Sequence, residues 1–397
     1  MTAIRNEIAA KRTSATVGGA PTVLFIHGFL DDQTVWDGVI DSLENDVNTV
    51  SYDLPGFGTR AESVADPADL SLNSLAAEVG EILSGIDTPV IVVGQSMGTQ
   101  VAELVAAAHP EQVVGLVLLT PVPLGGTRLP EQEIEPFRTP ADNVVAQRAA
   151  RSQLSPQLDE NQLDRLVQAG IPASPSVVAR YVDVWNDGID DTPLVSAYTG
   201  PVLVIRGGAD AFVTEQLVET IVSRFPSARQ SVIDSGGHWL HVEYPDEVAT
   251  AVGEFTEAIV GRKEADGWRQ AFADKAQASF ANEFAADIVL EASTLARRVV
   301  GKKQVSAVMT AASGIYDSLE FTGEAHSGST TYLQWHATAF GGMEIKGVTI
   351  LDRNADGKIA AAAIHHRSLD VVLRFAAEIR DRLSGVIAAD HFLEEAS

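Results

Sequence analysis

The chain has 397 residues, 45% of them hydrophobic, a length that favours two domains and a composition that fills real cores. It has no cysteine, which excludes disulfides, thiolate metal sites and cysteine nucleophiles. With 54 acidic against 28 basic residues the formal net charge is -26, a surface that repels phosphate backbones and anionic lipid, so nucleic-acid and membrane partners are not expected.

The opening MTAIRNEIAAKRTSATVGG lacks the apolar segment of a signal peptide, and no run of roughly 18 apolar residues follows. The expected compartment is the cytoplasm. Short apolar runs bounded by Gly, Pro or Asp come next: TVLFIHG (22–28), VNTVSYDLPG (47–56), PVIVVGQS (89–96), VVGLVLLTP (113–121), PVLVIRGGAD (201–210) and ARQSVIDSGGH (228–238). The most apolar of them do not alternate, as suits strands buried on both faces of a parallel sheet. Helical stretches lie between them. One carries Leu72, Leu75, Val79 and Ile82 on one stripe, another Val248, Val252, Phe255 and Ile259. Strand and helix in alternation predict a doubly wound, mostly parallel α/β sheet. From about 124 to 198 the chain is polar and helical with no strong strand, which predicts a helical cap over the carboxyl ends of the strands.

The pattern changes at the polar stretch GRKEADG, and a domain boundary is placed near residue 262, giving domains 1–262 and 263–397. WRQAFADKAQASFANEF reads as helix. The alternating segments YDSLEFTGEAHS, TTYLQWHATAF, MEIKGVTILD and GKIAAAAIHHR then predict a curved antiparallel sheet. A last helix, LDVVLRFAAEIRDRL, completes an α+β unit, and the final dozen residues are expected to fray.

The chemistry centres on VVGQSMGTQVA (92–102). Ser96 falls where an apolar strand turns into a helix, and Gly94 and Gly98 occupy the two positions where a side chain would obstruct that turn. The turn projects the hydroxyl upward and points the Met97 N–H toward a substrate, at a helix N-terminus whose partial positive charge suits an oxyanion. IHGFL places the Phe29 N–H as a second oxyanion donor. GGAD offers Asp210 and SGGHW offers His238, each at the carboxyl end of an expected strand. Ser96 as a turn serine, His238 as a loop histidine and Asp210 as a helix cap are each credible alone; their joint placement favours a triad. His27 is read as structural and Asp53 as a brace for the turn after its strand.

On these motifs, residues 1 to about 262 resemble the α/β-hydrolase superfamily, in its branch with an HGF oxyanion loop and a helical cap. The resemblance implies Ser96 as nucleophile, His238 as general base and Asp210 as the group that orients the imidazole. It implies Phe29 and Met97 as oxyanion donors, and no cofactor or metal. Thr99 stands where the family often has glycine and Thr59 where it often has serine. Serine at the nucleophile position disfavours dehalogenase and epoxide-hydrolase chemistry.

Residues 268 to about 384 resemble the SnoaL-like group of the nuclear-transport-factor-like cone fold, on VVGKKQVSAVMTAASGIYDSLEFTGE, TTYLQWHATAFGG, IKGVTILDRNADGKI and IHHRSLDVVLRF. That resemblance implies a fold, not a reaction. Period two puts Tyr332, Gln334, His336 and Thr338 on one face of a strand and Leu333 and Trp335 on the other. His365 and His366 point to opposite faces and form no metal site by themselves. DRNADGK (352–358) imitates the start of a calcium loop, but its twelfth position is Ala363 instead of glutamate, so a hairpin turn is expected.

The reading is a cytoplasmic serine hydrolase acting on a small-molecule carboxylic ester, lactone or related acyl bond, whose cap sets the substrate and whose second domain either shapes the mouth or holds a homodimer. Two rivals stand beside it. The same triad could serve carbon–carbon bond hydrolysis, a lyase or a cofactor-free perhydrolase. Alternatively the chain is a binding or assembly protein that works through its second domain.

Overall fold

The computed structural model describes residues 10–12, 20–43, 47–138, 143–327, 329–354 and 357–393, without the side chains of 10–12, 260–266 and 326–327. Most of the opening stretch read for a leader, the middle of DRNADGK and the last four residues lie outside the described residues. The chain divides into two compact units, residues 1–256 and 257–397.

The first unit begins with β1 (Ala10–Arg12), β2 (Thr22–Ile26), α1 (Asp37–Ser42), β3 (Asn48–Tyr52), α2 (Leu72–Leu83), β4 (Val90–Gln95), α3 (Met97–Ala108) and β5 (Val113–Leu119). Helices α4 (Glu131–Arg138), α5 (Val144–Leu154), α6 (Glu160–Gly170) and α7 (Pro175–Asp187) form the cap segment. After it come β6 (Val202–Gly207), α8 (Glu215–Val222), β7 (Ala228–Ile233), α9 (Leu240–Glu243) and α10 (Pro245–Asp274). The division between the units falls inside α10, which stays helical through the stretch read as a polar junction.

Seven strands form one sheet in the order β1-β3-β2-β4-β5-β6-β7. All its pairs are parallel except β1 with β3. Every residue of β2, β3 and β4 is buried, which is why 23–26 and 90–93 are continuous apolar runs; β3 buries Asn48, Thr49 and Ser51 beside Val50 and Tyr52. The edge strand β7 is mostly exposed or half-buried, and its sequence is correspondingly more polar. Helix α2 lays Leu72, Leu75, Val79 and Ile82 into the core; each buried side chain of this kind contributes about 1.5–3 kcal/mol. A reciprocal pair of hydrogen bonds between Ser71 and Ser74 starts that helix. From β2 the chain first builds toward β3, then reverses to add β4 and the strands beyond. The reversal leaves a crevice between the carboxyl ends of β2 and β4, where ligands of open α/β sheets bind.

The second unit holds α11 (Gln277–Glu283), β8 (Phe284–Ala292), β9 (Val299–Val300), α12 (Lys302–Ser313), β10 (Tyr316–Ser327), β11 (Thr330–Ala339), β12 (Met343–Arg353), β13 (Ile359–Arg367) and α13 (Leu369–Arg382). Its sheet runs β10-β11-β12-β13-β8-β9. The four alternating segments of the sequence reading are strands β10, β11, β12 and β13, and their three pairings are antiparallel. The sheet as a whole is mixed, because β8 joins β13 in parallel. Its partner lies some seventy residues further along the chain, so no local turn signal announces the pairing. Register shifts between Tyr316 and Ser318 and between Phe321 and Gly323 interrupt the β10–β11 ladder, as in curved sheets. On β11 the Leu333, Trp335 and Ala337 face is buried, while Tyr332 and Gln334 are exposed. Gly347 faces Trp335 across the ladder, where a Cβ would come within 2.2 Å of the indole.

Candidate active site

The turn from β4 into α3 sets Ser96 at φ 52°, ψ -122°, a conformation that costs a non-glycine residue energy and is kept only where the surroundings enforce it. Both flanking glycines are required. A Cβ on Gly94 would meet the Gly98 carbonyl oxygen at 2.4 Å, and one on Gly98 would meet the Ile26 and His27 carbonyls at 2.6 and 2.7 Å. Leu30, in the loop after β2, and Thr120, after β5, also have positive φ, so local strain gathers around this crevice. Thr99, at the position where glycine was the expectation, donates from Oγ1 to the Ser96 carbonyl at 2.6 Å and accepts from the Val122 N–H at 3.1 Å.

The three loop residues singled out by sequence come together in one row. Ser96 Oγ lies 3.0 Å from His238 Nε2, and His238 Nδ1 lies 2.8 Å from Asp210 Oδ2. The other carboxylate oxygen of Asp210 accepts the N–H groups of Phe212 and Val213 at 2.8 and 3.0 Å. Burial alone would raise the Asp210 carboxyl; His238 and the two backbone donors outweigh it and hold the pKa below the ordinary carboxylate range. The serine, the histidine and the carboxylate are all buried, and Ser96 and His238 line a pocket of about 660 Å³. Phe29 lines the same pocket, and Met97 is the first residue of α3. The pocket walls are mostly apolar, with Phe137, Trp185 and Phe212 prominent.

His27 and Asp53 hold loops in place. His27 accepts the Leu54 N–H at Nε2 (2.9 Å), with the Gly28 carbonyl 2.8 Å from Nδ1. Asp53 accepts from the N–H groups of Gln33 and Thr59, both at 2.8 Å, and from the Thr59 hydroxyl at 2.7 Å.

Sequence reasoning missed how the cap segment is stitched to the histidine loop. The His238 N–H donates to the Leu154 carbonyl at 2.9 Å and the Trp239 N–H to Ser155 Oγ at 2.8 Å. The carboxylate of Glu243 accepts the Gly237 N–H at 2.6 Å and the Gln157 N–H at 3.0 Å. Burial raises the Glu243 pKa against these donors. From the sheet side, Gln95 Nε2 and the Thr120 hydroxyl each donate to the His238 carbonyl at 3.1 Å. The imidazole is therefore fixed by contacts on both sides. One turn further on, His241 is buried beside Trp36, with ring centroids 4.5 Å apart, and burial pulls its pKa down to about 3.

Also missed was a buried ion pair in the pocket wall. Arg151 of α5 and Asp31 of the loop after β2 are 3.0 Å apart, with side chains 3% and 1% exposed. Desolvation raises the Asp31 carboxyl and lowers the Arg151 guanidinium, each against the attraction of the other. Asp31 stands in the plain loop string FLDDQ and Arg151 in the ordinary helix AQRAARSQL, and neither string carries a signal for their meeting.

Among the described residues no three His, Asp or Glu side chains form a metal-binding group, and no helix is long and apolar enough to cross a membrane.

Comparison with known proteins addresses the fold of the first unit. Residues 23–251, more than half of the chain, match the model of the alpha/beta hydrolase family. A putative esterase/lipase of Haemophilus influenzae is 24% identical over 242 residues, covering 59% of this chain and 83% of its own. Lipase LipV of Mycobacterium tuberculosis is 29% identical over 252 residues, covering 59% and 92%. The structure of MenH from S. aureus has the same fold, at TM-score 0.54 and 21% identity over 63% of this chain and 98% of that one. The chain belongs to the alpha/beta hydrolase family and is an enzyme of that type.

Proposed function

We propose that the first unit is a serine hydrolase that cleaves a carboxylic ester or lactone through an acyl-enzyme. The observation that carries this reading is the hydrogen-bonded row from Ser96 through His238 to Asp210. A serine hydroxyl is a weak nucleophile at neutral pH, so His238 Nε2 takes its proton as Oγ attacks the acyl carbon. Asp210 remains ionised, holds the Nδ1–H tautomer and stabilises the imidazolium. The oxyanion is received by the N–H groups of Phe29 and Met97 at the N-terminus of α3; losing one such donor costs about 3–4 kcal/mol of barrier. Collapse expels the alcohol, which takes the proton from His238, and water then releases the acid with His238 again as base. Relatives named as esterases and lipases support ester hydrolysis in general.

For the second unit we keep the SnoaL-like reading and a homodimer through it. The meander backed by α12 and α13 supports the first. Sedimentation of the full chain tests the second, with a monomer at all concentrations as the contrary result.

The enzymatic reading is tested by a panel of esters and lactones of graded acyl length, run beside Ser96→Ala. Turnover by the wild type and none by the variant is expected; equal turnover by both sinks the assignment. Running the reaction in oxygen-18 water separates hydrolysis from lyase chemistry, since only hydrolysis leaves label in the carboxylate product.

A further inference from the structure

The ion pair in the pocket wall is bonded in a lopsided way. A guanidinium has five donors. Here one nitrogen, Arg151 Nη2, makes every hydrogen bond recorded for the group: to the Leu30 carbonyl at 2.5 Å, to Asp31 Oδ1 at 3.0 Å and to the Leu166 carbonyl at 3.0 Å. Among the described residues the buried Nε–H has no hydrogen-bond partner, and Nη1 makes none. Asp31 is fully engaged, because its second oxygen accepts the Trp239 indole N–H at 2.8 Å. The Trp239 ring packs under the guanidinium, 5.1 Å from centroid to Cζ. A buried donor on a charged group is expensive to leave without an acceptor, and native sites that tolerate one need a reason. Arg151, Asp31 and Trp239 all line the pocket that holds Ser96 and His238.

Anchoring the cap does not explain the unused face, since Nη2 alone does the anchoring. The charge around it narrows which acceptor this donor suits. Arg151 and Asp31 together sum to zero, and the whole chain carries a net charge of -26. A ligand carboxylate placed there would meet the Asp31 carboxylate inside an apolar pocket, where like charges repel strongly. An uncharged acceptor oxygen satisfies the donor without that cost.

We propose that Arg151 is a specificity-determining residue, and that its unused guanidinium donor receives a neutral carbonyl oxygen of the substrate remote from the scissile bond. The substrate class is then uncharged: an ester or lactone with an apolar body and a second, ketone-type carbonyl. This deepens the serine-hydrolase reading and rests on it for the identity of the reacting bond.

The test uses nitrophenyl esters of one medium-length acid, with a ketone moved carbon by carbon along the acyl chain. The unsubstituted ester and the terminal-carboxylate ester serve as references. One ketone position should exceed the unsubstituted ester in kcat/KM by about 10- to 100-fold, the range for a hydrogen bond to a charged donor. In Arg151→Lys that ratio should fall toward one. The ratio, not the rate, is read because Arg151 also ties down the cap. In Asp31→Asn the carboxylate ester should gain on the ketone ester. The same ligands are titrated by calorimetry into Ser96→Ala and into the Ser96→Ala, Arg151→Lys double variant. Binding there is independent of chemistry, so a ketone preference without turnover counts against the hydrolase reading alone. The proposal is overturned by any of three results: no ketone position preferred in either assay, a preference that survives Arg151→Lys, or a wild type that favours the carboxylate ester.

Discussion

Each unit of the chain contains a buried or half-buried histidine hydrogen-bonded to a serine, and the two trios differ in what stands behind the imidazole. In the first unit His238 lies between Ser96 and the carboxylate of Asp210. In the second, His366 Nδ1 is 2.9 Å from Ser293 Oγ and its Nε2 is 3.1 Å from the Tyr316 hydroxyl. No Asp or Glu among the described residues is bonded to His366, and burial, helped by His365, pulls its pKa down to about 4. A histidine so placed stays neutral at physiological pH and has no anion to stabilise the imidazolium that a general base must become. Ser293 also has ordinary backbone, without the strained turn that projects Ser96. The contrast teaches that a serine–histidine contact is not a nucleophile. The proposal for Ser96 rests on the strained turn and the carboxylate as well.

The largest effect that could break this contrast comes from the first trio. Ser96→Ala is expected to lower kcat for ester turnover by about 10⁴-fold or more. Ser293→Ala and His366→Ala should leave it within about twofold; a comparable collapse in either would place the chemistry in the second unit. Asp210→Asn comes next, with a kcat loss of about 10³- to 10⁴-fold because the imidazole tautomer is no longer fixed. The matching change Tyr316→Phe should leave turnover intact.

Glu243→Gln sharpens the comparison at a smaller scale. An amide offers one acceptor where the carboxylate serves both Gly237 and Gln157, so His238 loses part of its support. A fall in kcat of about 10-fold with KM nearly unchanged is expected, consistent with modest misplacement of the base. An unchanged kcat would remove Glu243 from the positioning scheme.

The last effect concerns stability and leaves turnover aside: a pH dependence of folding. His241 has a folded pKa of about 3, below the unfolded value of about 6.5. As pH falls through that window the unfolded chain takes up a proton that the folded unit refuses. Stability is then lost by up to about 1.4 kcal/mol per pH unit and levels off below the folded pKa. Denaturant titrations across the window should show a shallower loss for His241→Leu than for the wild type. Equal slopes would contradict a neutral buried imidazole.

The sheet and the hydrogen-bonded row of Ser96, His238 and Asp210 were readable in sequence because each leaves a local mark. Strands buried on both faces are continuous apolar runs, as at 90–93, and Ser96, Asp210 and His238 sit in glycine-marked loops just past strand ends. The unread features depend on partners far away in the chain. Arg151 meets Asp31 across 120 positions, and Glu243 at the end of α9 reaches Gln157 across 86, each between the cap segment and a distant stretch that no periodicity links to it. The parallel pairing of β8 with β13 belongs to the same class, since its edge of the sheet is chosen by packing and not by a turn.

The central claim is tested most directly by treating the full chain with a fluorophosphonate probe and locating the adduct by peptide mass spectrometry. The account predicts a single modified residue, Ser96, no adduct in Ser96→Ala and slow modification in His238→Ala. A label on any other serine, or undiminished labelling of Ser96→Ala, would contradict it.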